Sequence, residues 1–114
     1  MHELGILIRI LRTVREEAEK NNVSHIHKIS LEVGEVSGAI PRYLEMQFPI
    51  AAAQDPMFEG CELDIQVELA EGRCLQCQHV YLLKKNKGIC PECGFDDFYT
   101  VSGTGLVIRE IVVS

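Results

Sequence analysis

The chain opens with apolar residues at Leu4, Leu7, Ile8, Leu11, Val14 and Ala18, spacings of three and four that build one stripe on an α-helix. Glu3 sits where the positive end of a helix favours an acid, and Asn21 with Asn22 marks a stop. The stretch HKISLEVGEV then alternates, with Ile29, Leu31 and Val33 on one face and Lys28, Ser30 and Glu32 on the other, the period of a half-covered strand. SGAIPRYLEMQFPIAAAQDP predicts a second helix opening near Pro41, where a missing N–H costs nothing. Pro49 falls inside that helix and is expected to kink or shorten it. Cys61, Leu63, Ile65, Val67 and Leu69 alternate with Glu62, Asp64, Gln66 and Glu68 as a further strand. The final GLVIREIVVS is apolar on both sides except at Arg109 and Glu110. Such a strand aggregates if left alone, so it is expected to return and pair inside the sheet begun earlier.

Together these elements predict an α/β fold in which residues 1–72 and 104–114 form a small mixed sheet with two helices. Residues 73–103 are then an insertion before the last strand. A length of 114 residues suits one ordinary domain, so the insertion needs something besides burial to hold it. At 46% apolar and 25% charged residues the composition is that of a soluble globular protein. No apolar run approaches the ~18–20 residues of a membrane span. Arg9 and Arg12 interrupt the first segment in a way a signal peptide does not, and a cytoplasmic location is expected. The net charge of −6 is uneven, with 6 Lys/Arg against 13 Asp/Glu in residues 1–72 and 4 against 3 in residues 73–103. An acidic main body opposes the phosphate attraction on which non-specific nucleic-acid binding rests.

Four of the five cysteines fall in CLQCQHVYLLKKNKGICPECG: Cys74, Cys77, Cys90 and Cys93. Two residues between paired cysteines let both sulfurs reach one ion from a tight turn, and two such turns around a short β-prone stretch complete a tetrahedron of thiolates. That pattern is a zinc ribbon, and four thiolates leave no open position for water, so the zinc is structural. Metal binding also supplies the folding energy that some 30 residues with little core would lack. Cys61 stands apart on the apolar face of its strand and is expected to be a small buried hydrophobe. His79 reads as a solvated ribbon residue, and His25 and His27 as surface residues at a strand entrance.

His2 follows the first residue directly. A terminal amine, the His2 amide nitrogen and His2 Nδ1 can form two fused chelate rings about one ion, with Glu3 offering a fourth donor through its amide or its carboxylate. Such a nitrogen set suits square-planar Ni(II) or Cu(II) better than tetrahedral zinc. In order and spacing, MHE at the start, LEVGEVSG after the first helix, the paired CxxC motifs with CPECG, and GLVIREI near the end resemble the HypA/HybF family. These are the nickel metallochaperones of NiFe-hydrogenase maturation, and the resemblance spans essentially the whole chain.

The resemblance implies an α/β nickel-binding domain with a zinc ribbon inserted before the final strand. It makes His2 the key nickel ligand, joined by the terminal amine and Glu3, with Ni(II) as transferable cargo and Cys74, Cys77, Cys90 and Cys93 holding structural Zn(II). The implied partners are a nickel-handling accessory GTPase and the NiFe-hydrogenase large subunit, extending in some organisms to urease maturation proteins. No acid and base are paired and no glycine loop cradles a phosphate, so the expectation is a carrier and not an enzyme. The competing reading is a zinc-ribbon module binding protein or nucleic acid, resting on the basic residues Arg73, Lys84, Lys85 and Lys87.

Overall fold

A computed structural model describes residues 2–113. In chain order the elements are α1 (His2–Lys20), β1 (Ile26–Gly34), α2 (Pro41–Ala52), a 3-10 turn (Pro56–Phe58), β2 (Glu62–Glu68), β3 (Glu71–Cys74), β4 (Val80–Leu82), β5 (Phe98–Ser102) and β6 (Leu106–Val113). They make two three-stranded sheets, ordered β2-β1-β6 and β4-β3-β5. The chain divides into two compact units, the first of residues 2–32, 39–66 and 107–113, the second of Val33–Gly38 and Val67–Leu106.

In the first unit α1 and α2 pack together, and its buried apolar residues include Leu7, Ile10, Leu11, Val14 and Ala18 of α1, Ile26, Ile29 and Leu31 of β1, Leu44, Phe48, Ala51 and Ala52 of α2, and Met57 and Phe58 of the 3-10 turn. The α1 stripe is turned slightly from the one expected: Ile10 is buried, whereas Ile8 is 45% exposed. A 3.6-residue period admits either flank, and only the packing partner decides between them. Pro41 takes the first turn of α2, and the helix persists through Pro49 to stop one turn later at Ala52.

The last strand returns to the sheet begun earlier, as expected, and pairs with β1, which lies in the centre while β6 and β2 form the two edges. Exposure follows from that order. Ile29 and Leu31 of central β1 are buried, whereas Val67 on β2 and Val107 and Val113 on β6 remain about half exposed. Cys61 precedes β2 instead of lying within it and is only half-buried, so it is not the fully buried hydrophobe expected. Its Sγ lies 3.6 Å from the Glu62 carbonyl oxygen, and burial followed by the Glu62 charge raises its thiol pKa.

In the second unit β3 pairs antiparallel with β4, Gly72 opposite Tyr81, and with β5, Gly72 opposite Thr100. The β3–β5 register shifts between Glu71, which faces Ser102, and Gly72. The apolar interior is small: Ala70, Cys74, Tyr81, Leu83 and Cys90, with Phe95 and Phe98 packed against it. Its backbone crossings are tight. Gly34 N–H donates to the Gly105 carbonyl (2.7 Å) and Val36 N–H to the Gly103 carbonyl (2.9 Å). Two carboxylates close the same region: Glu35 Oε1 accepts from Ala70 N–H at 2.9 Å, and Glu68 Oε1 accepts from Gly103 N–H at 2.8 Å.

A Cβ on Gly34 would sit 2.2 Å from the Gly103 carbonyl oxygen, a backbone atom that cannot swing aside. Gly34→Ala is therefore expected to destabilise the protein by about 2 kcal/mol or more, in the range of overpacked sites. Gly5→Ala in α1, with nothing within 4 Å of the added carbon, is expected to stabilise by up to about 1 kcal/mol. Chemical denaturation distinguishes the two, and a wild-type midpoint for Gly34→Ala would show that the crossing is looser than described.

Candidate metal centres

The Sγ atoms of Cys74, Cys77, Cys90 and Cys93 all lie within 4.8 Å of one another. Cys74 comes from the end of β3, and Cys77 follows from the turn after it. The two turns are built alike. Cys74 N–H donates to the His79 carbonyl and Gln78 N–H to the Cys74 carbonyl; Cys90 N–H donates to the Phe95 carbonyl and Gly94 N–H to the Cys90 carbonyl, all at 2.9 to 3.0 Å. The fourth residue after each leading cysteine takes a left-handed backbone, Gly94 at φ +77° and Gln78 at φ +71°. Glycine does this freely, but a side chain resists it. In the first turn the Gln78 carbonyl also accepts from Arg73 Nη1 at 3.1 Å.

Each turn aims donors at sulfur. Gln76 and Cys77 N–H lie 3.3 and 3.5 Å from Cys74 Sγ. The closest cross pairs, Cys74 with Cys93 and Cys77 with Cys90, are 3.5 Å apart. A tetrahedral ion at the ~2.3 Å bond length of a zinc thiolate separates its sulfurs by about 3.8 Å, so the four atoms fit one ion with small adjustments. In pairs, one sulfur of each CxxC is buried and the other exposed.

Crowding sets the protonation of these thiols. Burial works to raise Cys74, but the Cys77 and Gln76 N–H groups outweigh it and bring it down to about 7. At Cys77 the His79 N–H favours the thiolate, yet burial and the Cys90, Cys93 and Cys74 sulfurs push it up to about 12. Cys93 is raised too, its burial and the Cys74 sulfur overcoming the Phe95 N–H. Like charges at this separation share protons as a group, and a cation is what lets all four ionise.

The second expected site belongs to the first unit. His2 opens α1 with its side chain 62% exposed, and Glu3 beside it is 5% exposed, a buried acid at a helix start. Glu3 Oε2 lies 3.2 Å from His2 Nε2 and accepts from Ile40 N–H, ahead of α2, at 3.4 Å. The carboxylate is thus enclosed between the His2 ring and the α2 entrance. The terminal amine belongs to Met1, which lies outside the described residues.

A family model described as hydrogenase/urease nickel incorporation, metallochaperone, hypA, matches residues 1–113. The chain belongs to the HypA/HybF family. Curated relatives agree along nearly their full length. Hydrogenase maturation factor HypA of Crocosphaera subtropica is 33% identical over 113 residues, 99% of this chain and 96% of that one. Hydrogenase maturation factor HybF of Salmonella typhimurium is 29% identical over 113 residues, 99% of each. The solution structure of the Ni metallochaperone HypA from Helicobacter pylori superposes with a TM-score of 0.71 at 22% identity, over 99% of this chain and 97% of that one, a likeness of fold. The family's work is nickel incorporation into hydrogenase or urease, and these relatives are named maturation factors or metallochaperones.

The remaining residues singled out in the sequence fall outside both sets. His79 stacks on Tyr81 at 6.5 Å between ring centroids. His25 Nε2 lies 2.7 Å from the Glu59 carbonyl oxygen, and His27 is exposed. Lys84 Nζ is 3.9 Å from Glu35, so part of the basic cluster is occupied by an acid of its own chain. Sequence reasoning missed the burial of Glu3: an acid at a helix start reads as a solvated partner of the helix dipole, and nothing local announces that Ile40 N–H will face it. No helix among the described residues is long and apolar enough to cross a membrane.

Cys77 and Cys93, both raised, carry protons at neutral pH and must lose them to a metal. Loading the four-sulfur centre at pH 7 is expected to release at least these two protons, so affinity rises with pH below the thiol range. Calorimetry in buffers of different ionisation heat measures the release; a value near zero would mean the thiols are already ionised.

Proposed function

We propose that this chain carries Ni(II) at its amino-terminal end and delivers it during NiFe-hydrogenase maturation, while Cys74, Cys77, Cys90 and Cys93 hold a structural Zn(II). The observation carrying this reading is the Glu3 carboxylate buried against His2 Nε2. A carboxylate there selects the tautomer with its proton on Nε2 and the lone pair on Nδ1, the nitrogen that closes a chelate ring with the chain's own amide. Glu3 then contributes to nickel through its amide nitrogen, since its carboxylate is already engaged by the His2 ring and by Ile40 N–H.

The start of α1 suits this chemistry. The first amides of a helix have no acceptor within its hydrogen-bond ladder, so recruiting them to a metal breaks no helical bond. The positive end of the helix opposes a cation, and the Glu3 carboxylate together with deprotonated amides offsets it. His2 is exposed, so an acceptor can displace the ligands one at a time. The cysteine centre is the opposite case. Its four sulfurs close the coordination sphere, which supports a structural ion over a transferable one. The transfer partners assigned by this reading are an accessory GTPase and the hydrogenase large subunit, with urease maturation proteins where urease is the acceptor, in the cytoplasm.

Nickel titration of untagged protein tests the first site. His2→Ala is expected to abolish specific nickel binding with zinc content and circular dichroism unchanged. Glu3→Gln, which keeps an acceptor for Ile40 N–H, is expected to weaken nickel about tenfold. Equal affinity in wild type and both variants would remove the basis for the assignment. At the second site, Cys74→Ala is expected to release zinc and disorder residues 67–106 while the helical signal of the first unit persists, and collapse of that signal would contradict it.

A further inference from the structure

Helix α2 is apolar on two faces. Leu44, Phe48, Ala51 and Ala52 are buried, whereas Tyr43, Met46 and Ile50, spaced by three and four residues, are 38, 65 and 59% exposed. A helix with one buried face ordinarily turns polar residues to water. Ile50 also lines a groove of about 530 Å³ between α1 and the end of α2, whose other apolar walls include Leu4, Ile8, Leu11 and Phe58. Ile8, on the α1 side, is 45% exposed.

Charge at the margins of this surface is distinctive. The chain has 17 acidic residues against 11 Lys/Arg, yet Arg12, which lines the groove, has no carboxylate partner among the described residues. Arg15, one turn on, is taken by Asp55 and Glu19. Arg42 lies 5.3 Å over the Tyr43 ring and likewise lacks a carboxylate partner among the described residues. Tyr, Met and Arg around aliphatic side chains is the composition enriched at the centres of protein interfaces.

We propose that this groove docks a single amphipathic helix of a partner protein, with apolar side chains at i, i+3 or i+4, and i+7, flanked by carboxylates that meet Arg12 and Arg42. The walls are apolar side chains of two neighbouring helices, a surface that receives the ridge of a third helix and offers no open backbone for strand addition. The same face of a second copy fits poorly, because it would bring Arg12 and Arg42 against their own like charges. The docking surface does not depend on the nickel reading: it uses neither His2 nor the cysteines.

The test is selection of helical peptides from a display library against the full-length protein, followed by affinity measurement and amide-shift mapping with the selected peptides. The expected binders are acidic, carry apolar residues at the stated spacing, and shift amides of α1 and α2. Ile50→Glu or, if that variant folds poorly, Met46→Glu should weaken them at least tenfold, and Arg12→Glu should be rescued by reversing the peptide's flanking charge. Basic or non-helical binders, shifts confined elsewhere, or a concentration-dependent dimer of the free chain that Ile50→Glu dissociates would each overturn the proposal.

Discussion

Four sulfur atoms held within 4.8 Å of one another cannot all be ionised without a cation, and that constraint governs the second unit. Two of those cysteines, Cys74 and Cys90, belong to its buried apolar cluster of five residues. Apart from those cysteines the cluster is only Ala70, Tyr81 and Leu83, with the partial cover of Phe95 and Phe98. The carboxylates of Glu35 and Glu68 and the close crossing at Gly34 and Gly103 fix the backbone around it. An ion held by the four sulfurs would add to this backbone geometry what a larger core supplies in the first unit.

The proposed nickel site answers a different requirement. A carrier has to select its ion and then surrender it, so its ligands are best placed where an acceptor can reach them. An exposed imidazole at the start of α1, backed by a buried carboxylate, separates the two demands: His2 stays accessible, and Glu3 holds its orientation from behind. In the proposed assignment the closed sulfur centre and the open nitrogen site differ in coordination chemistry as well as in place, so zinc and nickel would not compete for one set of ligands.

Much of this was legible in the chain because the deciding patterns are local. The CxxC spacing brings the sulfurs of each pair together whatever surrounds them, and the alternation around Ile29 and Leu31 survives as a buried central strand. What was not legible depends on distant partners. The choice of Ile10 over Ile8 for the α1 core depends on which elements cover the helix, and its period alone does not encode that. The strand Phe98–Ser102 has no strong alternation of its own and forms because β3, some 25 residues earlier in sequence, offers it a ladder. Exposure of Val67 and Val113 follows from edge positions in the sheet order, which periodicity does not encode. Glu3 is the most consequential case, a residue readable as an acid at a helix start but not as one enclosed by His2 and Ile40.

Nickel-edge X-ray absorption on untagged, zinc-loaded protein tests the central claim most directly. The account predicts a planar first shell of nitrogen and oxygen donors including imidazole, with no sulfur scatterer at bonding distance. Nickel surrounded by sulfur, with zinc displaced and the imidazole signature absent, would contradict it.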